Sequence, residues 1–220
     1  AAGENAIAAV VVDYAAGDNS LARINPMGAI IGHVYFPESG IVSLLSTVNE
    51  TSTLETGIVG SEGMIGLPVF LGVKTSNSLV LVQGAGFALR MTTADFLAEC
   101  ASGDEMSRIL KRFTYSLMTQ TAQSAACNRY HPVESRMARW LLMTNDRMKS
   151  GIFQITQEFL SNMVGVRREA VNKCARTLQK RGLISYVRGN LLILNVKGLK
   201  AIACECYKVI SKHDPDYAKK

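Results

Sequence analysis

Arg167, Arg168, Glu169, Asn172, Lys173 and Arg176 occupy one ten-residue stretch of the 220-residue chain. If that stretch is helical, they form one outward face. Arg or Lys can pair with guanine O6 and N7, Asn with adenine, and Glu can accept from cytosine N4, so the set meets the needs of major-groove readout. Residues at the start of a reading helix reach base edges. Arg167, Arg168, Glu169 and Lys173 are therefore assigned to bases or adjacent phosphates, with Asn172 and Arg176 further along the face. A charge run is ordinarily a solvated surface, so this reading depends on what positions the run.

The flanking residues predict helix, tight turn, helix over Gln157 to Arg176. Thr156 is a good N-cap, and Glu158 opposes the helix dipole in the first turn. Phe159, Leu160, Met163 and Val164 supply an inner face, and Ser161 is small where the helices must cross. Gly165 stands where the turn calls for positive φ. Val166 plugs the turn, and Val171, Cys174, Ala175 and Leu178 repeat at the spacing of one helical face. After Gly182, the strands Leu183–Val187 and Leu191–Leu194 flank Arg188-Gly189-Asn190, a hairpin with a basic tip. Arg188 is a candidate phosphate contact. A last helix is expected over Lys197–Lys212, which completes a winged helix-turn-helix.

Charge is partitioned along the chain in the same way. Residues 1–128 carry 6 Lys and Arg against 11 Asp and Glu, a net −5, whereas residues 129–220 carry 18 against 7, a net +11. The overall +6 thus understates a basic end suited to a polyanion.

The acidic part reads as β up to about residue 95. Short β-prone runs at 34–37, 41–45, 56–59, 78–83 and 87–91 are separated by turn signals and the glycines Gly60, Gly63 and Gly66. Such spacing predicts a barrel or jelly roll. A short helix is expected near Thr93 and a long one from Asp104, whose Met106, Ile109, Leu110, Phe113 and Leu117 share one apolar face. That face either packs on the barrel of its own chain or forms a dimer seam, and the motif beyond it favours the seam. His131-Pro132-Val133-Glu134 opens the next helix. The expected fold is α+β, divided as 1–103 barrel, 104–130 dimerisation helix and hinge, and 131–220 DNA-binding domain.

Other chemistries find little support. Cys100, Cys127, Cys174, Cys204 and Cys206 make no disulfide framework. Cys127 and His131 are four apart, but Pro132 breaks the helix there, and Cys204-Glu-Cys206 is shorter than a usual ligand pair. Each is read as thiols in a reducing cytosol, with no metal expected. The apolar patch Ala6–Val12 lacks the basic flank of a signal peptide, and no run is long enough to span a membrane. No catalytic triad, paired-carboxylate motif or phosphate loop occurs, so no enzyme is expected.

An acidic barrel, a long helix and a basic winged helix, in this order, resemble the Crp/Fnr family of bacterial transcription regulators from about Val34 to Tyr207. Val34-Tyr35-Phe36-Pro37-Glu38-Ser39-Gly40-Ile41-Val42-Ser43, Gly60-x-Glu62-Gly63-Met64-x-Gly66, Ala138-Arg139-Trp140-Leu141-Leu142-Met143 with Asp146-Arg147, and Ala203-Cys204-Glu205-Cys206-Tyr207 look like a proteobacterial subgroup. The resemblance implies a cyclic-nucleotide-binding-like jelly roll. It also implies a cytoplasmic homodimer on a palindromic duplex operator, with RNA polymerase a further candidate partner. The family's Arg-Glu pair falls on Arg168 and Glu169. Lys173 stands where Arg is frequent and cannot make the bidentate fork. The cyclic-phosphate cassette is not matched: Leu67 follows Gly66, and Asn77-Ser78 occupies the arginine slot. No cAMP binding is therefore expected. With no cysteine before Cys100, no iron–sulfur cluster is expected, and His33 and His131 are read as structural rather than haem ligands, so no cofactor is assigned. The alternative reading is a ligand-binding module whose winged helix contacts another protein.

Overall fold

The computed structural model describes residues 9–10, 23–49, 52–148 and 151–213. Two antiparallel sheets face each other at the N-terminal end. One has the order β1 (Ala9–Val10), β7 (Ala88–Thr92), β3 (His33–Pro37); the other runs β2 (Arg23–Asn25), β6 (Leu79–Gly84), β4 (Ile41–Asn49), β5 (Ser52–Val59). The two sheets are not closed into one continuous barrel, and their arrangement is that of a jelly roll. Between them pack Val34, Val42, Val59, Met64, Ile65, Val80 and Val82, with Phe96 from α2 (Thr93–Ser102). The short α1 (Leu67–Phe70) closes one end and follows Gly66, whose φ of 94° is left-handed.

The second sheet is buried on both faces, apolar toward the jelly roll and, on its outer side, apolar except for the linked polar side chains Ser43, Glu55 and Gln83. On β6, Val80 and Val82 point into the jelly roll, and Leu79 and Leu81 point the other way. A continuous apolar run of this kind is what a strand buried on both sides requires. The outer side is covered by α4 (Val133–Met148), whose Met137, Trp140 and Leu141 are buried against Ile41, Leu45, Ile58 and Leu81. The same core continues into α5 (Gln157–Val164), α6 (Arg168–Lys180) and the small sheet β8-β10-β9 (Ile152–Gln154, Asn190–Ile193, Ile184–Val187). The expected hairpin is thus two strands of a three-stranded wing.

The long helix α3 (Asp104–Tyr130) begins where expected, after an N-cap at Gly103. Its 3–4 apolar face, read as a dimer seam, is instead committed to the chain's own jelly roll. Leu110 and Phe113 are buried in that core, Met106 and Leu117 pack against it, and only Ile109 lies half exposed. The reason is the free edge of β5. The Gln120 amide pairs with both backbone groups of Ile58, at 2.6 Å and 3.2 Å, and Thr121 Oγ1 donates to Thr56 O at 3.1 Å. An open strand edge is thereby covered.

The helix expected over Lys197–Lys212 is two: α7 (Val196–Ile202) and α8 (Cys206–His213). Ala203 is extended, with φ −62° and ψ 144°, and α8 starts again at Cys206. Among the described residues no helix is long and apolar enough to cross a membrane.

The motifs Gly60–Gly66, Asp146-Arg147 and Ala203–Tyr207 meet in space. Arg147 Nε donates to Glu62 Oε1 at 2.7 Å, with both side chains almost fully buried, and Tyr207 Oη donates to Asp146 Oδ2 at 2.8 Å. Gly63 belongs to this joint because a Cβ there would fall 2.0 Å from the Phe113 ring. These contacts fasten α4 to the jelly roll on one side and to α8 on the other.

Candidate nucleic-acid interface

Helix α5 begins at Thr156, whose Oγ1 accepts from Phe159 N at 3.1 Å, so a side chain satisfies an orphan N–H of the first turn. It ends at Gly165 in the left-handed region, φ 65° and ψ 47°. The N–H groups of Gly165 and Val166 both return to Ser161 O. The remaining carbonyls of Val164 and Gly165 accept from the buried Arg136 guanidinium. A cation held at a helix C-terminus also opposes the dipole. Gly165→Ala is expected to cost about 1–2 kcal/mol, mostly for holding a Cβ at positive φ. The new Cβ would lie 2.6 Å from Leu54 Cδ1, a side-chain end that can move. Urea unfolding of the two proteins checks this, and equal midpoints would refute it.

The tight turn delivers α6 with Val171, Cys174, Ala175 and Leu178 buried against α5 and α4. With about 100° per residue, the opposite side holds Arg168, Glu169, Asn172, Lys173 and Arg176 within an arc of about 140°. All are exposed except Asn172, which is half-buried. Arg167 lies at the N-cap, just outside the helix, exposed and in extended conformation. Among the described residues no ion pair neutralises Arg167, Arg168, Lys173 or Arg176, whereas Arg181, behind the face, pairs with Glu134. The first-turn N–H groups, the arginines and Lys173 thus make one cationic surface, with Glu169 as its single carboxylate.

The wing is fixed relative to this helix. Tyr186 N donates to Gln179 Oε1 at 2.6 Å, and Tyr186 Oη donates to Ile155 O at 2.7 Å. Burial pushes the Tyr186 phenol up to about 12, partly offset by the nearby Arg168 guanidinium. The tip is a two-residue turn with Arg188 at φ 48° and Gly189 at φ 83°, the mirror-image turn that suits hairpin twist. Arg188 is exposed there, carried by a backbone that disfavours a side chain. The seven residues assigned to DNA therefore lie on α6, its cap and the tip of the wing anchored to it.

The four residues read separately as Cys127/His131 and Cys204/Cys206 are brought together by the fold. One potential ligand atom from each lies within 4.8 Å of all the others. The sequence reading missed this constellation because its halves are about 75 positions apart. The available signal was two cysteine-bearing pairs, Cys127 with His131 and Cys204 with Cys206, neither of which has a local partner set.

Residues 135–202 match the family described as the Crp-like helix-turn-helix domain. No curated protein matches the chain in sequence. Among solved structures, FixK2 from Bradyrhizobium japonicum is similar with a TM-score of 0.70 at 12% identity, over 84% of this chain and 94% of that one. TTHB099, a CRP-family transcriptional regulator from Thermus thermophilus, gives 0.68 at 18% identity over 83% and 93%. The regulator CLP of Xanthomonas campestris gives 0.66 at 16% identity over 80% and 91%. At these identities the likeness is one of fold, and it extends over jelly roll, long helix and winged helix alike. Residues 135–202 thus match the Crp-like helix-turn-helix family, and the chain as a whole is similar in fold to solved Crp/Fnr transcription regulators.

Proposed function

We propose that the protein is a homodimeric, sequence-specific transcription regulator that lays α6 in the major groove of a two-fold operator. The observation that carries this is the unneutralised arc of α6 on a Crp-like helix-turn-helix. Arg168 and Glu169, in the first turn, read base edges. Lys173 and Asn172 extend the reading, and Arg167, Arg176 and Arg188 take phosphates. The division of labour follows the chain: 1–103 as a sensor-like domain, 104–130 as dimer helix and hinge, 131–220 as the DNA-binding domain. Two half-sites are expected about one helical turn apart, roughly 34 Å. A cytoplasmic location accords with five unpaired thiols.

The face of α3 left to a partner is not the one facing the jelly roll. Lys111, Tyr115, Met118, Ala122, Ala125 and Arg129 are exposed at alternating steps of four and three. That is the repeat of a two-helix seam, and Ala122 and Ala125 let backbones approach. A cyclic nucleotide is not the proposed signal. Among the described residues, those buried between the sheets are apolar and include no cation to meet a cyclic phosphate; an unpaired phosphate there would be costly.

The test starts with selection of duplexes from a random pool, followed by fluorescence anisotropy on the selected operator. Arg168→Ala is expected to lose roughly 1–3 kcal/mol on that operator and much less on unrelated duplex. Arg188→Ala is expected to weaken both alike and to make the salt dependence shallower by about one counterion. If Arg168→Ala weakened every duplex equally, its base-reading role would be wrong. If the protein bound no duplex even at low salt, the protein-contact reading of the winged helix would replace this one.

A further inference from the structure

We propose that Cys127, His131, Cys204 and Cys206 hold a divalent metal ion of the zinc class in a closed, four-ligand site. Cys127 lies in the last turn of α3, and His131 is the residue that caps that helix. Cys204 stands in the extended link between α7 and α8, and Cys206 opens α8. The three cysteines are buried and pack on one another as a cluster separate from both apolar cores. Three thiols that pack on one another rather than into either apolar core are poorly explained as core filling. The C-x-C spacing, too tight on a regular helix, works here because the chain is extended before α8 begins.

The geometry suits tetrahedral coordination. Cys127 Sγ and Cys204 Sγ are 3.4 Å apart, and Cys206 Sγ is 3.4 Å from His131 Nδ1. Metal–sulfur bonds of about 2.3 Å would set sulfurs about 3.8 Å apart, so side-chain shifts of about an ångström complete the site. The surroundings already do what outer partners of a metal site do. His131 directs Nδ1 at the sulfurs, and its Nε2 faces Glu205 Oε1 at 3.7 Å, an ion-pair distance that closes to the carboxylate–imidazole hydrogen bond of a ligand histidine with a small side-chain shift. Gln123 Nε2 donates to Cys206 Sγ at 3.0 Å, which favours the thiolate.

Charge balance points the same way. Three thiolates, one neutral imidazole and a divalent ion sum to −1. Arg136 and Arg139 are buried, lie within electrostatic reach of these cysteines, and each leaves its Nε without a hydrogen-bond partner among the described residues. Burial makes an isolated guanidinium costly, and the anionic metal centre offsets it. With four protein ligands no position stays open for substrate, so the ion is structural. It staples the α7–α8 link to the end of α3, beside the His131-Pro132 joint where α3 hands over to α4. Binding releases the thiol protons to solvent, so occupancy falls in acid.

The full chain, purified under reducing conditions without chelator, is expected to carry a single zinc ion per chain by elemental analysis. Exchange with cobalt should give the intense visible bands of four-coordinate Co(II) and thiolate-to-metal charge transfer in the near ultraviolet. Cys127→Ser with Cys204→Ser should abolish both signals, and Cys100→Ser, outside the cluster, should keep them. Fewer than about one zinc per ten chains, together with no charge-transfer band when cobalt is titrated into the reduced wild type, would overturn the proposal. So would a Cys127–Cys204 disulfide whose reduction yields no metal-binding protein. The cobalt titration needs no variant, so a misfolded mutant cannot obscure the answer.

Discussion

Replacing Met118 and Ala122 together by arginine is expected to give a folded monomer whose affinity for a two-half-site operator is roughly 10²–10⁴ lower. Met118 is 66% exposed and Ala122 is exposed, on the side of α3 away from Leu110, Phe113 and Gln120. Arginine at these positions leaves the jelly-roll core untouched, so fold and thermal midpoint should change little. Across a two-fold axis each new cation meets its own copy, and the seam is lost through repulsion as well as bulk. DNA affinity then falls because the second half-site no longer binds as an intramolecular event. Sedimentation equilibrium reads the first effect and anisotropy on the selected operator reads the second. A double variant that stayed dimeric and bound as before would remove the seam assigned to Tyr115, Met118, Ala122 and Ala125.

That seam illustrates where sequence reasoning stops. The spacing of Met106, Leu110, Phe113 and Leu117 says that one face of α3 is buried, and it is. It does not say against what, because a jelly roll and a second helix both want the same periodic face. The deciding contact is Gln120 with the edge of β5, two polar groups more than sixty residues apart whose pairing no local pattern announces. The helix-turn-helix was legible for the opposite reason. Thr156, Ser161, Gly165 and Val166 each meet a local requirement of cap, crossing or turn, and these lie within eleven residues. The break at Ala203–Glu205 carries no glycine or proline, so Lys197–Lys212 read as one helix. Local rules fail there because the break sits where Cys204 and Cys206 pack against Cys127, which is on another helix. Glu62, Arg147, Asp146 and Tyr207 were visible as parts of motifs, and only the fold shows that the motifs are two halves of the same joints.

Glu55 is the least legible residue of all, and it carries the second large effect. Nothing in the run Thr53-Leu54-Glu55-Thr56 marks it as buried. In the fold it is sealed under α4, where Oε1 accepts from Trp140 Nε1 and Oε2 lies against Ser43 Oγ, both at 2.8 Å. Burial raises its pKa from the ordinary 4.5 to about 7, despite the hydrogen bonds and the guanidinium groups of Arg139 and Arg147. The hydrogen bonds agree with a protonated acid. Ser43 Oγ has one proton and also faces Gln83 Oε1 at 2.7 Å. A proton on Glu55 lets the acid donate to Ser43 and Ser43 donate to Gln83. Because the folded pKa lies above the unfolded one, the folded state binds more protons between about pH 4.5 and 7. Stability from this group is therefore complete below that window and is lost as pH rises through it. Glu55→Gln mimics the protonated acid at every pH, with its amide donating to Ser43 and its carbonyl accepting from Trp140. The variant should match the wild type near pH 4.5 and exceed it by on the order of 3 kcal/mol at pH 8 to 9. Urea unfolding of both proteins across that range isolates the effect, since every other titrating group is common to the pair. A difference independent of pH would mean that Glu55 is ionised throughout, and that Arg139 and Arg147 outweigh its burial.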